Sequence, residues 1–268
     1  MVAGAAGREG VAPKLAGRRA LITGAGSGIG RATALRLAAD GAGIAAVDVD
    51  LDAAAKVADE ATALGVGALA LSADVGDEAA VRDAVSAAVG HLGGLDTVVA
   101  AAGITRAGRT DETTLDAWNL IIRINLTGVF LTLKHALPHL CAADGGAIVT
   151  IGSVASLVAA GRSSSYDASK GGVLQLTRAV AVEYADRGVR ANCVCPGVVA
   201  TNLAANSQTI AGPLDAARGD NPQLRVSVPM ARHADPAEIA GAVAFLCSDD
   251  ASFITGAAIA ADGGFTAV

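Results

Sequence analysis

The sequence predicts an open, doubly wound α/β domain built on one parallel sheet of about seven strands. Three observations carry that prediction. Short, continuously apolar runs alternate with longer segments of helical periodicity, as strands buried on both faces and their crossover helices do. The first apolar run ends in a glycine cluster that opens a helix. The second ends on an acidic residue, so polar groups gather at the same ends of successive strands, where open α/β sheets bind ligands.

Taken in order, Arg19–Thr23 is the first strand and runs into Gly24-Ala25-Gly26-Ser27-Gly28-Ile29-Gly30. The following helix carries Leu35 and Leu37 and stops near Gly41. Gly43–Val47 is a strand closing on Asp48, and a helix over Leu51–Leu64 leads to a strand at Gly67–Leu71 and then Asp74. Asp77–Leu92 reads as a helix, Leu95–Ala101 as a strand, and Leu115–Leu140 as one long helix. Ala147–Ile151 is a strand leading to Ser153. A helix around Tyr166 runs to about Ala185, and a strand at Arg190–Val194 precedes Pro196-Gly197. Leu203–His233 reads as irregular, followed by a helix at Pro236–Leu246 and a last strand at Ala257–Ala260. No repeat of solenoid period and no linker divides the chain, so residues 14–268 are expected to be one domain after a loose tail at 1–13.

Composition narrows the function classes. With 268 residues the chain is ample for one sizeable core; 52% of them are hydrophobic but only 3% aromatic, so that core is built from Ala, Val, Leu and Ile. A net charge of -6 without a basic block argues against nucleic acid or an acidic membrane surface as the main partner. Arg123 interrupts the apolar run from Leu120 to Leu133, and Met1–Pro13 has no apolar core of signal-peptide length, so no membrane role is expected. Cys141, Cys193, Cys195 and Cys247 are scattered among apolar neighbours without metal-ligand spacing. They read as buried free thiols of a cytoplasmic protein that holds no metal.

A strand ending in a glycine-rich turn that opens a helix is the recipe for a pyrophosphate site, because N–H groups face the phosphates and missing side chains allow close approach. The spacing is Gly24-x3-Gly28-x-Gly30 rather than G-x-G-x-x-G. Asp48, eighteen positions beyond Gly30, suits the two hydroxyls of an adenosine ribose and repels a 2′-phosphate. With no Arg or Lys in Gly24–Gly30 or directly after Asp48, the expected cofactor is NAD rather than NADP. Asp74 and Gly103 also lie at carboxyl ends of strands, where ligands bind.

Tyr166 and Lys170 are four apart in Ser165-Tyr166-Asp167-Ala168-Ser169-Lys170, hence on one face of a helix. A free phenol titrates near about 10, and a cation one turn away is expected to pull it toward the working range of a proton shuttle. Ser153, thirteen positions before Tyr166, ends an apolar run and is placed to donate to the same reacting oxygen.

From about Lys14 to the C-terminus the chain resembles a short-chain dehydrogenase/reductase of the single-domain, Rossmann type. The resemblance rests on Thr23-Gly24-x3-Gly28-Ile29-Gly30, Asp74, Ala102-Gly103, Asn125, Ser153, Tyr166-x3-Lys170 and Pro196-Gly197-x3-Thr201, in that order. It implies that Tyr166 is the general acid/base, that Ser153 polarises the carbonyl or alcohol, and that Lys170 holds the nicotinamide ribose. It further implies that Asn125 anchors a water in a relay from Lys170, that Val199 and Thr201 meet the carboxamide, and that Asp74 with Val75 meets the adenine. Gly24, Ser27, Gly28, Ile29, Gly30, Ala101, Gly103, Pro196 and Gly197 complete the implied cofactor site, and Ser153, Ala155 and Tyr166 the implied substrate site. The chain departs from the family pattern at Ala100-Ala101-Ala102-Gly103, where the family carries Asn-Asn-Ala-Gly and uses the amides to brace the loop.

The activity implied is reversible hydride transfer between NAD and a secondary alcohol or ketone. Segments 104–114, 154–164 and 202–233 are expected to shape the substrate site, the last as a lid with Gly212-Pro213 and Asn221-Pro222. The small apolar residues of the second fit a medium-sized ketone, a cyclic alcohol or a steroid-like compound; Arg106, Arg109, Arg162 or Arg225 would instead meet a carboxylate or phosphopantetheine. Reduction of a 3-oxoacyl thioester is the alternative within the family, and a catalytically idle dinucleotide-binding scaffold the alternative outside enzymes. By the same resemblance the chain assembles as a homo-oligomer, commonly a tetramer, through the Leu115–Leu140 and Ser164–Ala185 helices and the last strand.

Overall fold

The computed structural model describes residues 14–143, 145–159, 161, 163–211 and 228–267. The expected tail at 1–13, Ala160, Arg162, Arg225 and the Gly212-Pro213 and Asn221-Pro222 part of the lid lie outside the described residues. Seven parallel strands form one sheet: β1 (Arg19–Thr23), β2 (Gly43–Asp48), β3 (Ala68–Ser72), β4 (Thr97–Ala100), β5 (Gly146–Ile151), β6 (Val189–Pro196) and β7 (Ala258–Ala261). Their order is β3-β2-β1-β4-β5-β6-β7, every neighbouring pair parallel. The order reverses between β1 and β4, which opens a crevice at the carboxyl ends of those two strands.

Side chains leave a strand alternately to its two faces, and here both faces are covered. Leu21, Val98, Ile148, Cys193 and Cys195 pack to one side with the buried residues of α3 (Glu78–Leu92), α5 (Gly128–Ala142) and α6 (Ser164–Glu183). Ala20, Ile22, Val99, Val149 and Val194 pack to the other with α1 (Gly28–Ala39), α2 (Leu51–Ala63) and α8 (Pro236–Cys247). The layer under each helix is mostly Ala and Val, so helix and sheet approach closely without aromatic filler.

Two elements differ from the sequence expectation. The helix expected over Leu115–Leu140 is α4 (Leu115–Ile122), a π-helical turn at Arg123–Thr127, and then α5. Apolar periodicity does not register the one extra residue that a π-turn inserts. By length and hydropathy Leu115–Ala142 could cross a membrane, yet Ile121, Leu133 and Leu140 are buried against the sheet. Second, the stretch expected to be irregular begins with a helix, α7 (Leu203–Ala211). Leu203, Ser207 and Ile210 recur at helical spacing, but a serine at the central position weakens the apolar signal.

Candidate active site

The turn after β1 is shaped by what its glycines leave out. Gly24 has φ 66°, and a Cβ there would lie 2.7 Å from the Ala102 Cα, so β1 and the end of β4 close together only around a bare backbone. A Cβ on Gly30 would lie 2.0 Å from the Gly24 carbonyl oxygen, so the first turn of α1 folds back over the strand end. Ser27 stands at the N-cap of α1 but makes no side-chain cap. The helix therefore starts with unsatisfied N–H groups beside backbone that a phosphate can approach.

Asp48 ends β2 and faces this turn. Its Oδ2 accepts from the Gly26 N–H at 2.8 Å and its Oδ1 from the Asp50 N–H at 3.1 Å. A carboxylate offers about four acceptor positions, so ribose hydroxyls can still be received there. Asp74, after β3, accepts from the Gly76 N–H at 2.8 Å and from Arg123 Nη1 at 2.8 Å. Burial works to raise the Asp74 carboxyl, but Arg123 and Gly76 outweigh it and hold the group below its ordinary range.

One cavity of about 570 Å³ runs along the carboxyl ends of the strands. The predicted cofactor residues from Gly24 to Gly30, with Asp48, Asp74, Val75, Ala101 and Gly103, line it on the β1–β4 side. Pro196, Gly197, Val199 and Thr201 line it from the end of β6, and Ser153, Tyr166 and Lys170 from the far end. Ala155, expected at the substrate wall, is buried beneath the Ser153 turn, and the cavity wall is formed without it.

Ser153 caps the 3-10 turn Val154–Ser156: its Oγ accepts from the Ala155 N–H at 3.2 Å, while Ser156 Oγ accepts from the Ser153 N–H at 3.2 Å. Ser156 Oγ also donates to the Lys170 carbonyl at 2.7 Å, which ties this turn to α6. Lys170 is 5% exposed, and its Nζ donates to the Ile151 carbonyl at 2.8 Å and lies 5.7 Å from the Tyr166 ring centre. Burial brings the Lys170 ammonium down to about 8, with the Cys193 and Cys195 thiols working against the fall.

The expectation that Lys170 pulls the phenol down is corrected. Burial pushes the Tyr166 phenol up, the hydrogen bond from Ser153 opposes the rise, and Asp167 adds to it. The reason is geometric: α6 turns the Lys170 ammonium toward Ile151, while the phenol is removed from water and bonded to Ser153.

Asn125 sits in the π-turn with its side chain fully buried. Its Oδ1 accepts from the Ile104 N–H at 2.8 Å, and its Nδ2 donates to the Ile104 carbonyl at 2.9 Å and to Ser169 Oγ at 3.1 Å. Ser169 Oγ in turn donates to the Tyr166 carbonyl at 2.7 Å. One amide thus joins the loop after β4 to the helix that carries Tyr166. A Cβ on Gly103 would lie 3.3 Å from Asn125 Oδ1 and 3.5 Å from Lys170 Nζ, so both groups border the same glycine. The loop lacking the usual asparagines is braced otherwise: Thr23 Oγ1 accepts from the Ala102 N–H at 3.4 Å, and Ser207 Oγ from the Thr105 N–H at 2.9 Å.

Sequence reasoning missed three residues that build this site. Arg123 pairs with Asp74 across 49 positions, and Ser207 pins α7 to the loop after β4 across 102, contacts that only the fold creates. Asn206 lines the cavity from α7 and reaches Ser27. The helical spacing of Leu203, Ser207 and Ile210 was the available signal that this segment presents one face to the site.

The family model described as enoyl-(acyl carrier protein) reductase matches residues 24–266. The chain is 44% identical over 252 residues to cis-4-hydroxycyclohexanecarboxylate dehydrogenase of Sinomonas cyclohexanicum, covering 94% of this chain and 97% of that one. It is 41% identical over 248 residues to cyclohexanol dehydrogenase of Acinetobacter sp. (strain SE19), covering 92% and 94%. The crystal structure of carveol dehydrogenase from Mycobacterium avium in complex with NAD superposes with a TM-score of 0.86 at 31% identity, covering 96% of this chain and 100% of that one. A strand-end glycine turn, a single parallel sheet and near full-length similarity to such dehydrogenases lead to one conclusion: the chain belongs to the short-chain dehydrogenase/reductase family of oxidoreductases.

Proposed function

We propose that this protein is an NAD-dependent alcohol dehydrogenase that interconverts a neutral cyclic secondary alcohol and its ketone, with Tyr166 as general acid/base. The observation that carries the reading is the single cavity joining the Gly24–Gly30 turn and Asp48 to Ser153, Tyr166 and Lys170. The bare glycine backbone, the uncapped start of α1 and the Asp48 carboxylate suit the pyrophosphate and ribose of a dinucleotide. A bound nicotinamide supplies the acceptor of hydride in oxidation and its donor in reduction.

The chain's own residues handle the proton and the oxygen. In oxidation Tyr166 as phenolate takes the hydroxyl proton of the alcohol, and in reduction Tyr166 as neutral phenol gives its proton to the ketone oxygen. Ser153 Oγ accepts from the Ala155 N–H and bonds the Tyr166 phenol, and its proton is the one it can turn to the reacting oxygen as charge develops there. Lys170, held by Ile151, keeps a cation one helical turn from the phenol, and the Asn125 amide fixes the loop and helix on which these groups stand.

Ile104, Leu203 and Ile210 add apolar surface to the cavity, which favours a ring without charge. The relatives named for cyclohexanol and for a hydroxycyclohexane acid support a ring alcohol. Asp48 supports NAD, because a 2′-phosphate would meet its carboxylate. Exposed Phe130, Val182 and Phe253 leave apolar surface on α5, on α6 and ahead of β7, which supports a homo-oligomer, a tetramer by the family's habit.

The test is an NADH-absorbance screen of cyclohexanol, substituted cyclohexanols, linear secondary alcohols and a 3-oxoacyl thioester, run with both cofactors. The expected result is turnover of the ring alcohols with NAD favoured over NADP by at least about tenfold in kcat/KM. Turnover confined to the thioester, or a preference for NADP, overturns the reading.

A further inference from the structure

We propose that Asn206 of α7 is a positioning residue for the Gly24–Gly30 turn, keeping the Ser27 hydroxyl off the start of α1 so that an anionic group meets the helix N–H groups directly. The inference rests on the dinucleotide reading above and adds an element to it: a residue outside the glycine motif that governs how the motif presents its donors.

Serine at an N-cap ordinarily turns its oxygen onto the N–H of the second or third helical residue. Ser27 has the extended backbone of such a cap, φ -151° and ψ 170°, and yet makes no side-chain cap. Its Oγ instead accepts from Asn206 Nδ2 at 3.1 Å, across 179 positions. The two side chains belong to facing walls of the same cavity. Only the Arg31 N–H is taken up locally, by the Ser27 carbonyl at 3.0 Å, so the N–H groups of Gly28, Ile29 and Gly30 keep their directions for a ligand.

The chemistry of the hydroxyl sharpens the point. A serine hydroxyl has one proton and two lone pairs. With one lone pair given to Asn206, its proton is free to turn into the cavity, and no hydrogen bond donated by it occurs among the described residues. Asn206 therefore sets the polarity of Ser27 as well as its position, aiming a donor at the cavity where a phosphate oxygen would lie. The anchor for Asn206 is its neighbour: Ser207 is fully buried, accepts from the Thr105 N–H at 2.9 Å and donates to the Leu203 carbonyl at 2.5 Å. α7 is thus tied to the loop after β4 by Ser207 and to the phosphate turn by Asn206. When the amide is removed, Ser27 is free to fall back onto the Gly30 N–H and compete with the ligand for it.

The experiment is a double-mutant cycle read by binding of ADP-ribose, which carries the pyrophosphate and both riboses but undergoes no redox chemistry. Asn206→Ala is expected to weaken ADP-ribose about fivefold in the otherwise unchanged protein, the worth of one neutral hydrogen bond. In the Ser27→Ala background the same substitution is expected to change the affinity by less than about 1.5-fold, because no hydroxyl remains to be held. Asn206→Asp is expected to be worse than Asn206→Ala, since a carboxylate would accept a hydrogen bond from the Ser27 hydroxyl, turning its proton away from the ligand, and would repel the phosphates. Thermal melting of ligand-free Asn206→Ala is expected to stay level or rise as the cap re-forms. An equal loss in both backgrounds, or no loss in either, overturns the proposal. Failure of the unsubstituted protein to bind ADP-ribose would remove the dinucleotide reading and this inference with it, whereas failure on alcohols alone would leave this inference standing.

Discussion

Tyr166→Phe is expected to lower kcat for alcohol oxidation by about a thousandfold while leaving NADH affinity within about twofold, the size of effect that general acid/base groups supply. The substitution removes one oxygen from the half-buried phenol and keeps the ring, so packing against Lys170 and the wall of the cavity is preserved. The lost oxygen is the atom that bonds Ser153, hence Ser153 also loses the partner that orients its proton. Because burial holds the phenol above its ordinary value, the phenolate needed for oxidation is populated as pH rises. Alcohol oxidation is therefore expected to accelerate with pH and ketone reduction to slow, and Tyr166→Phe is expected to abolish both trends. Steady-state rates across pH, with NADH binding followed by fluorescence, check the two halves separately. Retained turnover in Tyr166→Phe contradicts the assignment.

Gly30→Ala is expected to have the largest structural effect of any single methyl added to the chain's phosphate turn. Its Cβ would stand 2.0 Å from the Gly24 oxygen and 2.7 Å from the Gly24 carbonyl carbon. Both are backbone atoms, so no rotamer change relieves the contact and α1 must withdraw from β1. The expected cost is about 3 kcal/mol, or a fall in Tm of about 10 °C, together with loss of measurable NADH binding. Gly90→Ala is the control: it lies on an open face of α3 with nothing near its added Cβ, and it is expected to stabilise by up to about 1 kcal/mol through helix propensity. Thermal melts of the two variants side by side give the comparison; equal melting temperatures would refute the account of the turn.

The parts of the fold that could be read from the residues alone are those governed by local pattern. Buried parallel strands are short apolar runs, and all seven appear within a few residues of their expected ends because a break in apolarity coincides with a break in pairing. The residues lining the cavity were legible for a related reason: Gly24, Asp48, Asp74, Gly103, Ser153 and Pro196 all lie at or just beyond carboxyl ends of strands, so topology alone brings them together. What escaped depends on contacts distant in sequence. Asn125 is reached from the sequence only through the family resemblance, because the π-turn that puts its amide against Ile104 and Ser169 leaves no local signal. α7 reads as irregular because Ser207, buried in its middle, is polar, and the Thr105 N–H that pins it lies 102 positions away. The direction of the Tyr166 titration was missed because helical spacing reports the neighbouring cation and not the depth of burial.

Transfer of deuterium from carbon tests the central claim most directly. Cyclohexanol labelled at the carbinol carbon is incubated with the protein and NAD, and the reduced cofactor is examined by mass spectrometry and proton NMR. The account predicts one deuterium at C4 of the nicotinamide for every ketone formed, on a single face of the ring, since cofactor and alcohol are proposed to share one cavity. Ketone formed without deuterium in the nicotinamide, or label scrambled over both faces, would contradict it.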